Sequence, residues 1–120
     1  MSEDTLEMKL HDLRLIGQKH AEAKSKLTKL EHSRKILLAT IMKEKMINSN
    51  TGKLDSVNAQ EREARADDRY KQHIEALAIA VKEEAKWHWE KRIVEINFET
   101  WKTKTINQMK EAKHYGVQKT

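Results

Sequence analysis

Asn48-Ser49-Asn50-Thr51-Gly52 is the one strong break in the chain, and it decides the fold. Asn, Ser and Thr side chains compete for the hydrogen bonds of a helix, and Gly supplies the positive φ that ends one. On either side lie long stretches rich in Ala, Glu, Lys, Leu and Arg, the composition of helices. The break therefore predicts two helical arms, the first over about 4–47. Beyond it, Asn58-Ala59-Gln60-Glu61 fits a capping box and predicts a short helix over about 58–66. Asp67-Asp68 can cap a last helix over about 68–114, ended by Gly116. The expectation is a single helical domain spanning 1–120.

The first arm carries one apolar seam: Leu6, Leu10, Leu13, Ile16, His20, Ala23, Leu27, Leu30, Arg34, Leu37 and Ile41 follow one another at threes and fours. Spacing near 3.5 is that of a helix in a coiled coil or bundle. His20 and Arg34 are its polar members, which weaken a seam while fixing its register. Placed at 100° per residue, the last arm shows two stripes. Tyr70, Ile74, Leu77, Val81 and Ala85 drift into Trp89, Ile93 and Ile96. Trp87, Val94, Phe98, Trp101 and Met109 lie on nearly the opposite side. A surface helix has one such stripe. With the first assigned to the hairpin, the second is expected to be a partner or oligomer interface formed by Trp87, Val94, Phe98, Trp101 and Met109.

The fold class expected is all-α: an elongated antiparallel helical hairpin of two long helices plus a short connecting helix. Each long helix would measure about 68 Å at 1.5 Å per residue. Two such helices bury little per residue, so dimerisation into a helical bundle is expected.

Composition excludes most alternatives. The chain has no proline, three glycines and only 5% aromatic residues, too few turn formers and strand formers for a sandwich or barrel. No cysteine means no disulfide framework, thiol nucleophile or Cys-ligated zinc. Three isolated glycines cannot make a phosphate loop, and Gly-x-Ser-x-Gly is absent. The histidines show no His-Glu-x-x-His. Glu111-Ala-Lys-His114 is a Glu-x-x-His, but a di-iron bundle needs a second copy. Neither catalysis, nor a metal, nor a cofactor is expected. The acidic start, Met1-Ser2-Glu3-Asp4, is unlike a secretory signal, and the longest apolar run, Ala76 to Val81, cannot span a bilayer. A cytoplasmic protein with no membrane association is expected.

A net charge of +5 is spread along the chain without a basic tail. It favours an acidic partner modestly. Trp87-His88-Trp89, flanked by Lys82, Lys86, Lys91 and Arg92, with Lys102 and Lys104 further on, offers an alternative function. Aromatics between cations can stack bases while the cations take phosphates, without sequence preference. Against it, the two Trp residues lie about 200° apart on a helix at 100° per residue, which suits two packing surfaces better than one.

Two stretches carry a resemblance. One is Leu30-Glu31-His32-Ser33-Arg34-Lys35 with Ala39. The other is Ala59-Gln60-Glu61-Arg62-Glu63-Ala64, then Tyr70, Leu77-Ala78-Ile79-Ala80-Val81, Trp89 and Glu99-Thr100-Trp101-Lys102. Over roughly residues 27–105 the chain resembles a group of small helical proteins of bacterial prophages, encoded near phage recombination genes. Those relatives have a His-Pro step before the tyrosine, where this chain has Asp67-Asp68-Arg69. The resemblance implies a phage accessory role in a bacterial cytoplasm and supplies no catalytic residues. The leading expectation is a non-enzymatic protein acting by protein–protein interaction, with a phage or host partner in DNA recombination, replication or counter-defence. Direct DNA binding and a structural or assembly oligomer are the alternatives.

Overall fold

The computed structural model describes residues 3–118, with side chains described up to 113. The fold is all-α. Helix α1 runs Glu3–Glu44, α2 runs Val57–Ala66 and α3 runs Asp68–Gln118. Among the described residues there is no strand beyond an isolated antiparallel bridge, Ile47 to Leu54. The chain divides into two compact units: residues 22–85, and residues 1–21 with 86–120. In each, a stretch of α1 runs antiparallel to a stretch of α3.

The expected break is a closed loop. Asn48 N–H donates to Lys53 O at 2.8 Å, Gly52 N–H to Asn48 O at 2.8 Å, and Asp55 N–H to Met46 O at 2.9 Å. The Asn48 side chain also accepts from Asn50 N–H. Gly52 has φ of +67°, a conformation an L side chain disfavours. Because this loop already recruits Met46 and Ile47, α1 stops at Glu44, three residues before the expected end.

The short helix is capped differently from the expectation. Ser56, not Asn58, is the N-cap, its hydroxyl accepting from Ala59 N–H at 3.2 Å. Asp67 ends α2 in an extended conformation, and its carboxylate then accepts from Arg69 N–H at 2.9 Å as α3 begins. One residue thus makes the bend between α2 and α3. Helix α3 passes through Gly116, because one glycine costs a helix only about 1 kcal/mol and nothing reinforces it as a stop.

In the unit of residues 22–85, Ile41, Ala64 and Tyr70 form a buried core, with Leu37, Leu38 and Met42 packed on it. Ala80 is buried as well. Gln60, also buried, donates from Nε2 to the Asp55 carbonyl at 2.9 Å, tying α2 to the loop. His73 Nε2 lies 2.7 Å from the Leu30 carbonyl, which can only accept, so this nitrogen carries the proton. Arg69 clasps two carboxylates, reaching Glu44 at 2.6 Å and Asp67 at 3.0 Å.

The α1 seam is as expected. Its members are half-buried or buried from Leu6 to Ile41, with Leu10 marginally exposed. The α3 reading needs correction. The inward residues are Tyr70, His73, Leu77, Ala80, Glu84, Trp87, Lys91, Val94, Phe98, Trp101 and Thr105, alternating threes and fours without a break. A seam of period 3.5 slips by about 20° per heptad against a straight helix, hence by about 100° over five heptads. A fixed 100° wheel cuts this one drifting seam in two. The stripe assigned to the hairpin is therefore the exposed one in the distal half: Trp89 is 65% exposed, and Ile93 and Ile96 are 48% exposed.

Candidate functional site

The distal unit is built from residues 3–21 of α1 and the stretch of α3 from Lys86 onward. Its interior is a single line of contact. Lys9 Nζ lies 5.3 Å from the Trp101 ring centroid and Lys19 Nζ 5.2 Å from that of Trp87. Phe98 and Trp101 meet at 6.0 Å with tilted rings. Lys9 and Asp12 of α1 and Val94, Asn97 and Phe98 of α3 border a shallow groove of about 150 Å³. Large rings with lysine ammonium groups beside them help this unit cohere, since cation–π contact is worth about 0.5–1 kcal/mol at exposed sites.

Of the residues expected at a partner interface, Trp87, Val94, Phe98 and Trp101 are thus half-buried on the seam with α1. Met109 is separate from them and 58% exposed. Trp89, Ile93 and Ile96, spaced by four and three on one face of α3, form the open apolar stripe. These are the residues whose spacing continues the stripe expected to face α1, and in the distal half they are exposed instead.

The residues of the nucleic-acid alternative do not form one surface. Lys82 and Lys86 share a face one turn apart, and Lys86 Nζ also lies 5.0 Å from the Trp87 ring. Lys91 is half-buried on the seam, while Arg92 and Lys104 are exposed elsewhere around the helix. Lys102 is 3.7 Å from Glu99. Trp89 is the accessible aromatic of this group, with the His88 ring edge-on at 6.2 Å.

Sequence reading missed one pairing. His20 of α1 and His88 of α3 face each other with ring centroids 5.5 Å apart. His20 had a place on the seam and His88 lay between two tryptophans, so each was accounted for separately. Within the distal unit α1 and α3 run antiparallel with Lys19 beside Trp87, and that register sets His20 beside His88. His114 of the Glu-x-x-His pattern lies outside the residues whose side chains are described.

The strongest electrostatic feature is at the α2–α3 bend. The Arg69 guanidinium, by its side-chain hydrogen bonds and then by its backbone N–H, holds the Asp67 carboxyl down at about 2. Arg69 likewise lowers Glu44, and its own proton is held more tightly than usual by Asp67 and then Glu44. This cluster organises a bend. It lines no cleft.

No helix among the described residues is long and apolar enough to cross a membrane. Comparison with protein-family models, with curated proteins and with solved structures gives no match.

Proposed function

We propose that the protein works by binding protein rather than by catalysis, and that its first partner is a second copy of itself. One observation carries this reading. Every buried apolar residue among those described (Ile41, Ala64, Tyr70, Ala80) belongs to the unit of residues 22–85, and the distal unit has none. Yet the distal unit displays Trp89, Ile93 and Ile96 together on one helix face. A single layer of two helices cannot enclose a core, and a second layer from another copy supplies one.

The resemblance to prophage proteins encoded near recombination genes extends the reading to an accessory role in recombination, replication or counter-defence. There the bundle would present its charged faces to a phage or host protein.

Sedimentation equilibrium at micromolar concentration tests the claim. The expected species is twice 14.1 kDa, and Trp89→Ala with Ile93→Ala returns it to 14.1 kDa with helicity retained. A wild-type chain that sediments as a monomer overturns it.

The nucleic-acid reading has one supporting observation, the exposed Trp89 ring on a helix bearing Lys82, Lys86 and Arg92. Four neutralised phosphates on a single strand would give a slope of log affinity against log salt of about −3. Charge reversal at Lys82, Lys86 and Arg92 flattens that slope if these residues bind the strand. No binding at low salt removes the reading.

A further inference from the structure

In the distal unit α3 carries a second series of threes and fours, on the side turned away from α1. Lys86, Trp89, Ile93, Ile96, Thr100 and Thr103 are all exposed, and each lies two residues beyond a member of the inner seam, about 200° around the helix. The series has the same 3.5-residue period as that seam, so it keeps one bearing along the supercoil. Its make-up is that of a short helix–helix interface. Three large apolar residues occupy the middle, two small threonines follow them, and a lysine stands at the other end.

We infer that two copies pair α3 against α3, antiparallel, about a two-fold axis level with the peptide between Val94 and Glu95. The inference rests on the dimer proposed above and fixes its register. At this centring Ile93 meets Ile96 of the second copy, Trp89 meets Thr100 and Lys86 meets Thr103, each contact occurring twice by symmetry. Large side chains thus face small ones, which lets the layers fill. The flanking positions agree: Arg92 comes beside Glu99 of the second copy, and Glu90 beside the uncharged Asn97. Glu99 lies 3.7 Å from Lys102 of its own helix, a contact between exposed groups that a guanidinium, pairing through two parallel hydrogen bonds, displaces. Neighbouring registers fail on charge. Centring the pair at Lys91 sets Arg92 on Arg92 and Glu90 on Glu90, and centring it at Phe98 sets Glu99 on Glu99. A parallel pair crowds Trp89 onto Trp89 and leaves two layers of threonine against threonine.

Sedimentation equilibrium of charge-reversed full-length chains tests the register. Arg92→Glu should weaken the dimer about tenfold and Glu99→Arg by as much, because each turns two attractions into two repulsions. An equimolar mixture of these two variants should regain wild-type association, since every charged contact between unlike chains is then of opposite sign. The chain carrying both exchanges should dimerise like the wild type. Circular dichroism should find all of them equally helical, which separates lost pairing from lost folding. The chain has no cysteine, so Asn107→Cys takes a single spin label. In the antiparallel dimer the two labels stand about 38 Å apart along the helix at 1.5 Å per residue. In a parallel dimer they lie side by side, with the helix axes about 10 Å apart. A wild-type chain that sediments as a monomer overturns the dimer and its register together. A wild-type dimer that is indifferent to Arg92→Glu, is not restored by mixing, or holds its labels side by side leaves the dimer standing and overturns the register alone.

Discussion

The unit of residues 22–85 and the distal unit use the same two helices and the same three-and-four spacing, but they cohere by different means. The first adds α2 and a hydrogen-bonded loop, so Ile41 and Ala64 lose all solvent contact and Tyr70 nearly all. The second has only two helices, and its large rings stay half-buried on the seam with lysine ammonium groups beside them. A third element is what turns a seam into a core. Ten residues of α2 suffice, because Ala64 lets the backbone approach while Gln60 satisfies its amide against the loop.

The contrast can be broken most forcefully at Ile41. Truncation to Ala leaves a cavity where nothing can slide in, and should cost about 2–5 kcal/mol. Phe98→Ala in the distal unit removes a larger side chain but a half-buried one, and should cost roughly 2 kcal/mol. Urea unfolding followed by circular dichroism measures both. A larger loss at Phe98 than at Ile41 would show that the distal seam is covered more fully than the single chain covers it.

Glycines sharpen the comparison with opposite signs. Ala at Gly52 must take φ of +67° and should destabilise by about 1–2 kcal/mol. Ala at Gly17, inside α1 with open space where its Cβ would go, should stabilise by about 1 kcal/mol. Paired thermal melts decide it, and equal shifts of one sign would contradict the helix and loop geometry described.

The smallest effect is electrostatic and confined to the bend. The Asp67 carboxyl titrates at about 2 in the folded chain, below its ordinary 3.8. A depressed folded value means that the stabilisation is fully present above about pH 4 and is lost as pH falls through 2. Because its partner Arg69 is half exposed to solvent, the contribution is small. Melting between pH 5 and pH 2 should show Asp67→Asn and Arg69→Ala losing less on acidification than the wild-type chain.

Local signals were the most legible in the sequence. The break at Asn48–Gly52, the α1 seam from Leu6 to Ile41 and the bend at Asp67 follow from side-chain chemistry acting within a few residues. The α3 seam was less legible, because His73, Glu84 and Lys91 occupy it and the apolar residues alone trace two incomplete stripes. Burial there follows the supercoil period, not residue type. The His20–His88 pairing had no local signal at all, since it exists only once the hairpin is closed. Ser56 in place of Asn58 shows a different limit: both residues can cap, and the loop hydrogen bonds around Asp55 choose between them.

The closed loop at Ile47–Leu54 also sets the order in which the protein assembles. Contacts that flank it, such as Glu44 with Arg69, join residues close in sequence, whereas Lys9 and Trp101 are nearly a chain length apart. Closing a longer loop costs more entropy, so pairing nucleates beside the turn and zips outward toward the termini. The ends of the hairpin are therefore the last to form and the first to open. Amide hydrogens around Ile41 and Tyr70 should exchange through global unfolding, and those around Lys9 and Trp101 through fraying.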